Sequence, residues 1–273
     1  MRSPLRYLSV ATLMIVLTSA MFVGTASTAF ASSVSVTGIT PITGHVGTSV
    51  VLTGTGFTGA TDVQFTGVST PVSATFTVNS DTQITAVAPD GALTGAITVT
   101  APGGTAISKA KFRVQPTVSS FSPTSGPVGT SVVIAGTAFT GATAVTFNKV
   151  PATSFSVDSY SQITATVPCC GASGRIKVTT PGGSGSSRTS FKVPPSITSF
   201  SPSSGPVGTT VVIVGVAFTG TKSVTFNGVA ATSFTVDSDT QITVTVPTGA
   251  TTGVIIVKTG GGAVRSATKF TVA

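Results

Sequence analysis

Ser122-Pro123-Thr124-Ser125-Gly126-Pro127-Val128-Gly129-Thr130 returns as Ser201-Pro202-Ser203-Ser204-Gly205-Pro206-Val207-Gly208-Thr209, and more loosely as Thr40-Pro41-Ile42-Thr43-Gly44-His45-Val46-Gly47-Thr48. A nonapeptide stated three times in 273 residues makes internal repetition the governing signal. Working outward from it, Gly126 to Gly205, Phe139 to Phe218, Phe147 to Phe226, Pro168 to Pro247 and Phe191 to Phe270 are all 79 residues apart, so the second and third repeats align without a gap. Between the first and second, Phe65 to Phe147 spans 82 residues but Phe76 to Phe155 only 79. Three extra residues therefore lie around Ser69-Thr70-Pro71, which reads as a longer loop on an unchanged scaffold.

Inside each repeat the apolar residues alternate with polar ones. Gln162-Ile163-Thr164-Ala165-Thr166-Val167 puts its apolar side chains on one face, Arg175-Ile176-Lys177-Val178-Thr179 does so with cations outward, and Lys109-Ala110-Lys111-Phe112-Arg113-Val114 reads as one further continuous strand. About seven such stretches per repeat, punctuated by Gly, Pro, Asn or Asp, predict an all-β immunoglobulin-like sandwich. Repeats of roughly 80 residues bury only ~60% of their unfolded surface, so neighbours are expected to support one another.

Several motifs resemble one family. The Ser-Pro-x-Ser-Gly-Pro-Val-Gly-Thr opening, Gly-x-x-Phe at 136–139 and 215–218, Val-Thr-Phe-Asn at 145–148 and 224–227, Ser-x-x-Gln-Ile-Thr at 159–164 and 238–243, and the Gly-Gly turns near 182 and 261 resemble IPT/TIG domains. The resemblance implies three tandem immunoglobulin-like sandwiches over 32–115, 116–194 and 195–273, with junctions at Gln115-Pro116 and Pro194-Pro195. Similar domains occur in bacterial surface and secreted proteins, in accessory modules of polysaccharide-degrading enzymes, in plexin-type receptors and in transcription factors, so the fold leaves the task open. Short proline-bearing junctions predict a rod.

Residues 1–31 read as a secretory signal peptide: Arg2 and Arg6, an apolar run from Leu8 to Val23, and Ala29-Phe30-Ala31 as the cleavage site. The competing reading is an uncleaved membrane anchor. Setting Arg2 and Arg6 aside leaves twelve basic residues against six Asp and no Glu, a net charge of +6. The expected setting is the extracellular space, non-covalently associated with the cell surface.

Five aromatic positions per repeat hold Phe in every case except Ile39, and such recurrence assigns them to cores. No Trp occurs, and Tyr160 is the one mature Tyr, so sugar stacking on exposed rings is poorly supported. Catalysis fares worse. The acids Asp62, Asp81, Asp90, Asp158, Asp237 and Asp239 all fall in or beside expected turns, and His45, the sole histidine, replaces the turn prolines Pro127 and Pro206. No general acid/base pair or nucleophile assembly is legible, so no enzyme, cofactor or metal is expected. Asp237-Ser238-Asp239 reads as a turn ahead of a calcium ligand set, and the Gly-Gly pairs as hairpin turns ahead of phosphate loops.

Cys169-Cys170 replaces Asp90-Gly91 and Thr248-Gly249 of the other repeats. A vicinal disulfide, a cross-link to a second chain and free thiols all remain open, with the vicinal bridge preferred in an oxidising exterior. The cations Lys109, Lys111 and Arg113, with Arg175 and Lys177, form a candidate surface, to which Lys192, Lys258, Arg265 and Lys269 are comparable. Outward cations protect strand edges from aggregation; the functional alternative is a face for anionic wall polymers or acidic glycans. No nucleic acid partner and no membrane insertion after cleavage are expected, and the oligomeric state is unspecified. The leading reading is a non-catalytic adhesion or scaffolding protein that contacts an extracellular macromolecule. The alternative is a polysaccharide- or cell-wall-binding module serving separately encoded enzymes.

Overall fold

A computed structural model describes residues 32–169 and 173–273. The expected leader and Cys170 lie outside the described residues, so the cleavage site and any Cys169–Cys170 bridge do too; Cys169 itself is exposed. Among the described residues no helix is long and apolar enough to cross a membrane.

Each repeat is two facing antiparallel sheets. In the second, one sheet runs Thr117–Ser122, Ser131–Thr137, Gln162–Thr166, Phe155–Ser159, and the other Val150–Pro151, Ala144–Phe147, Gly174–Thr180, Gly183–Phe191. The first and third repeats have the same order of strands, and each is closed by a short parallel pairing, such as Arg113 with Thr43 and Thr271 with Ser204. The fold is all-β and immunoglobulin-like.

The cores are built from the recurrent phenylalanines. Phe147 and Phe191 meet edge to face at 5.4 Å, as do Phe65 with Phe112 at 5.6 Å and Phe226 with Phe270 at 5.2 Å. Such rings contribute up to about 3 kcal/mol each by burial, and the edge-to-face pairs about 1 kcal/mol more. The assignment is less complete than expected at Phe76, Phe155, Phe234 and Phe200, which are only half-buried because they stand on the margins of the sandwich. The Gly-x-x-Phe motif has a steric cause. A Cβ on Gly136 would lie 1.8 Å from the Thr117 carbonyl oxygen and 2.5 Å from the Phe139 ring, and Gly54 and Gly215 are equally confined.

One expectation is corrected. Lys109–Val114 is not one strand: pairing stops after Ile107 and resumes at Phe112. At the break, buried Ser108 accepts the Ile97 N–H through its Oγ at 2.9 Å and donates to the Ala110 carbonyl at 2.7 Å. Ser187 and Ser266 make the same two bonds in the later repeats. Asp62, Asp158 and Asp237 lie at the ends of strands, beside the turns. Asp237 and Asp239 do not converge. Asp237 accepts from Gln241 and Thr243 across its hairpin, whereas Asp239 accepts the backbone N–H groups of Ala217 and Thr219.

Successive sandwiches are keyed together. Ala138 and Ala217 hold left-handed backbone at φ 57° and 58°, and each methyl is buried in the hydrophobic cluster of the preceding repeat. Tyr160 occupies the position of Asp81 and Asp239. Instead of capping its own loop as they do, it packs half-buried on the first repeat's core and donates to the Ala92 carbonyl at 3.3 Å. Burial pushes its hydroxyl pKa up, with the Asp90 charge adding to the rise. The Gly-Gly hairpins are turns as expected, and they are also junction contacts: a Cβ on Gly182 would meet the Val114 carbonyl oxygen at 1.9 Å, and one on Gly261 the Val193 oxygen at 1.7 Å.

Candidate functional site

The outward side of the second repeat's Gly174–Thr180 sheet forms an open trough of about 670 Å³. Strand register explains its lining. Thr146, Lys177 and Ser186 stand abreast on three adjacent strands, and Arg175 stands opposite Ser190 two residues along. Lys149 completes the rim from the two-residue turn Asn148-Lys149, both with positive φ (47° and 74°), as a primed hairpin turn requires. The trough thus offers three cationic side chains among several hydroxyls, and among the described residues no carboxylate lines it.

A second groove of about 630 Å³ shares Ser186 and carries Arg188 and His45, whose Nδ1 lies 3.2 Å from the Gln115 carbonyl oxygen. A third, of about 610 Å³, holds Lys109, Lys111 and Arg113 beside Pro181 of the next repeat. Sequence reading singled out Arg175 and Lys177 but passed over Lys149 and Arg188. The signal was present in the charge of each repeat. Residues 32–115 carry three bases and three acids, 116–194 five bases and one acid, and 195–273 four and two, giving 0, +4 and +2.

The one acid of the second repeat is held on its other sheet. Asp158 accepts from Thr164 Oγ1 at 2.6 Å, Ser156 Oγ at 2.7 Å and Gln162 Nε2 at 3.1 Å, and these donors hold its pKa below the ordinary range. The third repeat's corresponding face differs at every cation: Gly228, Val254 and Ile256 replace Lys149, Arg175 and Lys177. The first repeat has Gly67, Ala96 and Thr98 there. The scaffold repeats while the face does not. Among the described residues no group of three or more His, Cys, Asp or Glu converges as a metal site.

The IPT/TIG domain pattern matches residues 34–114, 116–193 and 195–272. The chain belongs to the IPT/TIG family. No curated protein matches this IPT/TIG chain. Among solved structures it is similar to a protein crystallised with a xylogluco-oligosaccharide (22% identity over 88% of this chain and 60% of that one, TM-score 0.38). It is also similar to a surface glycan-binding protein from Prevotella bryantii (17%, over 57% and 42%, TM-score 0.43) and to the plexin A4 extracellular region (18%, over 86% and 24%, TM-score 0.29). The IPT/TIG chain spans about 60% of the first of these structures. At these TM-scores the likeness does not extend to a ligand.

Proposed function

We propose that this IPT/TIG chain is a non-catalytic extracellular binding protein that holds an acidic polysaccharide on the outward sheet face of its second repeat. The observation that carries this reading is the trough itself: Lys149, Arg175 and Lys177 converge on a hydroxyl-rich surface that, among the described residues, is free of carboxylates, in the repeat that carries +4 of the +6 over residues 32–273. Cations supply attraction to carboxylate, sulfate or phosphate groups, and the Ser and Thr hydroxyls supply donors and acceptors for a polyhydroxylated chain. No ring lines the trough, so affinity comes from charge and hydrogen bonds, not stacking. The leader pattern of Arg2, Arg6, the Leu8–Val23 run and Ala29-Phe30-Ala31 supports an extracellular location.

The test is co-sedimentation with insoluble acidic and neutral polysaccharides across a salt series. Retention on the acidic polymer that fades with salt is expected. Replacing Lys149, Arg175 and Lys177 together by Gln should weaken it about three-fold to a hundred-fold, at roughly 0.2–1 kcal/mol per exposed ion pair. Salt-independent retention on neutral glucan would replace this reading with neutral-glycan binding, and recovery in the supernatant throughout would leave adhesion or scaffolding through protein contacts.

A further inference from the structure

Two cationic clusters sit on different repeats: Lys149, Arg175 and Lys177 on the second, and Lys109, Lys111 and Arg113 on the first. One strand joins them. Along Gly174–Thr180 the side chains of Arg175, Lys177 and Thr179 point outward, while Ile176, Val178 and Thr180 are buried. Two residues past Thr179, in the same alternation, exposed Pro181 leaves the trough and forms part of the wall of the first repeat's groove, together with Thr94 and Ile42. The row from Arg175 to Pro181 runs about 20 Å at ~3.3 Å per residue.

We infer that the two clusters are the ends of one track, and that its ligand is a linear polyanion long enough to cross the junction between the first and second repeats. This rests on the acidic-polysaccharide reading above and adds the ligand's length and the participation of the first repeat. The junction is built to keep the ends in line. Tyr160, Ala138 and Gly182 fix the second sandwich against the first, and Thr94, which lines the groove, also accepts the Val114 N–H at 3.0 Å. A pre-aligned pair of weak sites turns the second contact into an intramolecular step, so affinity should climb with ligand length until both ends are engaged. Among the described residues, neither pocket is lined by a carboxylate or an aromatic ring. That suits a polyanion, and it disfavours single-stranded nucleic acid, which uses stacking platforms.

The test uses the full chain and a length series of oligogalacturonides, with polyol-phosphate oligomers as a second anionic series and single-stranded DNA of matched charge as a third probe. Affinity should rise at least ten-fold between short oligomers and those spanning about 20 Å, in the carboxylate or the phosphate series, and the series that shows it identifies the anion. Replacing Lys109, Lys111 and Arg113 by Gln should abolish that rise, so that long oligomers bind no more tightly than short ones. Binding that is independent of length, or unaffected by the first-repeat substitutions while still lost in the second-repeat triple variant, overturns the track but keeps the single-face reading. No binding to any polyanion overturns both. DNA bound as tightly as the oligosaccharides overturns the assignment to polysaccharide.

Discussion

Lys149 stands at φ 74°, where the third repeat has Gly228 at φ 88° in the same two-residue turn after an Asn. A side chain in left-handed backbone costs about 1 kcal/mol relative to glycine. Retention of lysine at a strained position on the trough's rim is what a binding role would produce. Lys149→Gly should therefore raise stability by about 1 kcal/mol in denaturant unfolding while lowering affinity for acidic polysaccharide. A loss of both, or a gain of both, would detach the strain from binding. Asp158 gives a pH signature. Its native pKa is lowered by Thr164, Ser156 and Gln162, so its stabilisation is complete above the ordinary Asp value of ~3.9 and is lost as pH falls through the lower native value. The first repeat has Asn79 at this place, donating to Gln83 and Thr85, so Asp158→Asn should keep the fold and flatten part of the acid limb of a stability profile measured from pH 2 to 7.

At the scale of elements, the buried serines carry more than their composition suggests. Ser187→Ala would orphan the Ile176 N–H inside the sheet and remove a donor to the Thr189 carbonyl. The expected cost is about 1–3 kcal/mol, read as a lower unfolding midpoint with an unchanged m-value. A neutral result would mean that the bulge closes by ordinary ladder pairing. These serines recur at 79-residue intervals, at 108, 187 and 266, yet the residue type reads as surface, and only the bulge reveals why an inward position needs a hydroxyl. The sandwich class, most of the phenylalanine core and the glycine hairpins were legible because period-two alternation and repeat spacing encode them directly. Lys149 was not, because Asn-Lys does not announce a primed turn as Asn-Gly does. The junction role of Gly182 also escaped, since a hairpin glycine needs no second explanation until its neighbour in space is known.

For the whole molecule, Tyr160 is one of the contacts that tie the first two sandwiches together. Burial raises its pKa, so the bond to Ala92 and the apolar contact are fully present below about pH 10 and are lost as pH rises through the native value. Tyr160→Asp installs the residue that caps the equivalent loop in the other repeats and removes the contact to the first. It should cost the junction about 2 kcal/mol, from one hydrogen bond and a half-buried ring. Calorimetry should then resolve separate transitions for the first and second repeats where the parent gives one, and the parent should split likewise once the pH passes the raised native value. A single unchanged transition in both cases would show that the linker alone couples them.

The left-handed alanines have one more consequence, for gene rearrangement. Ala138 and Ala217 are shaped to enter the end of a preceding sandwich, whereas Gly56 at the same place abuts Ser32 and Ser33. The modules are therefore not interchangeable beads. Exchanging the first and second by recombination would present a glycine where the recipient end expects a methyl, and would strip Tyr160 of the neighbour it was fitted to, so the chain carries its own serial order in its loops.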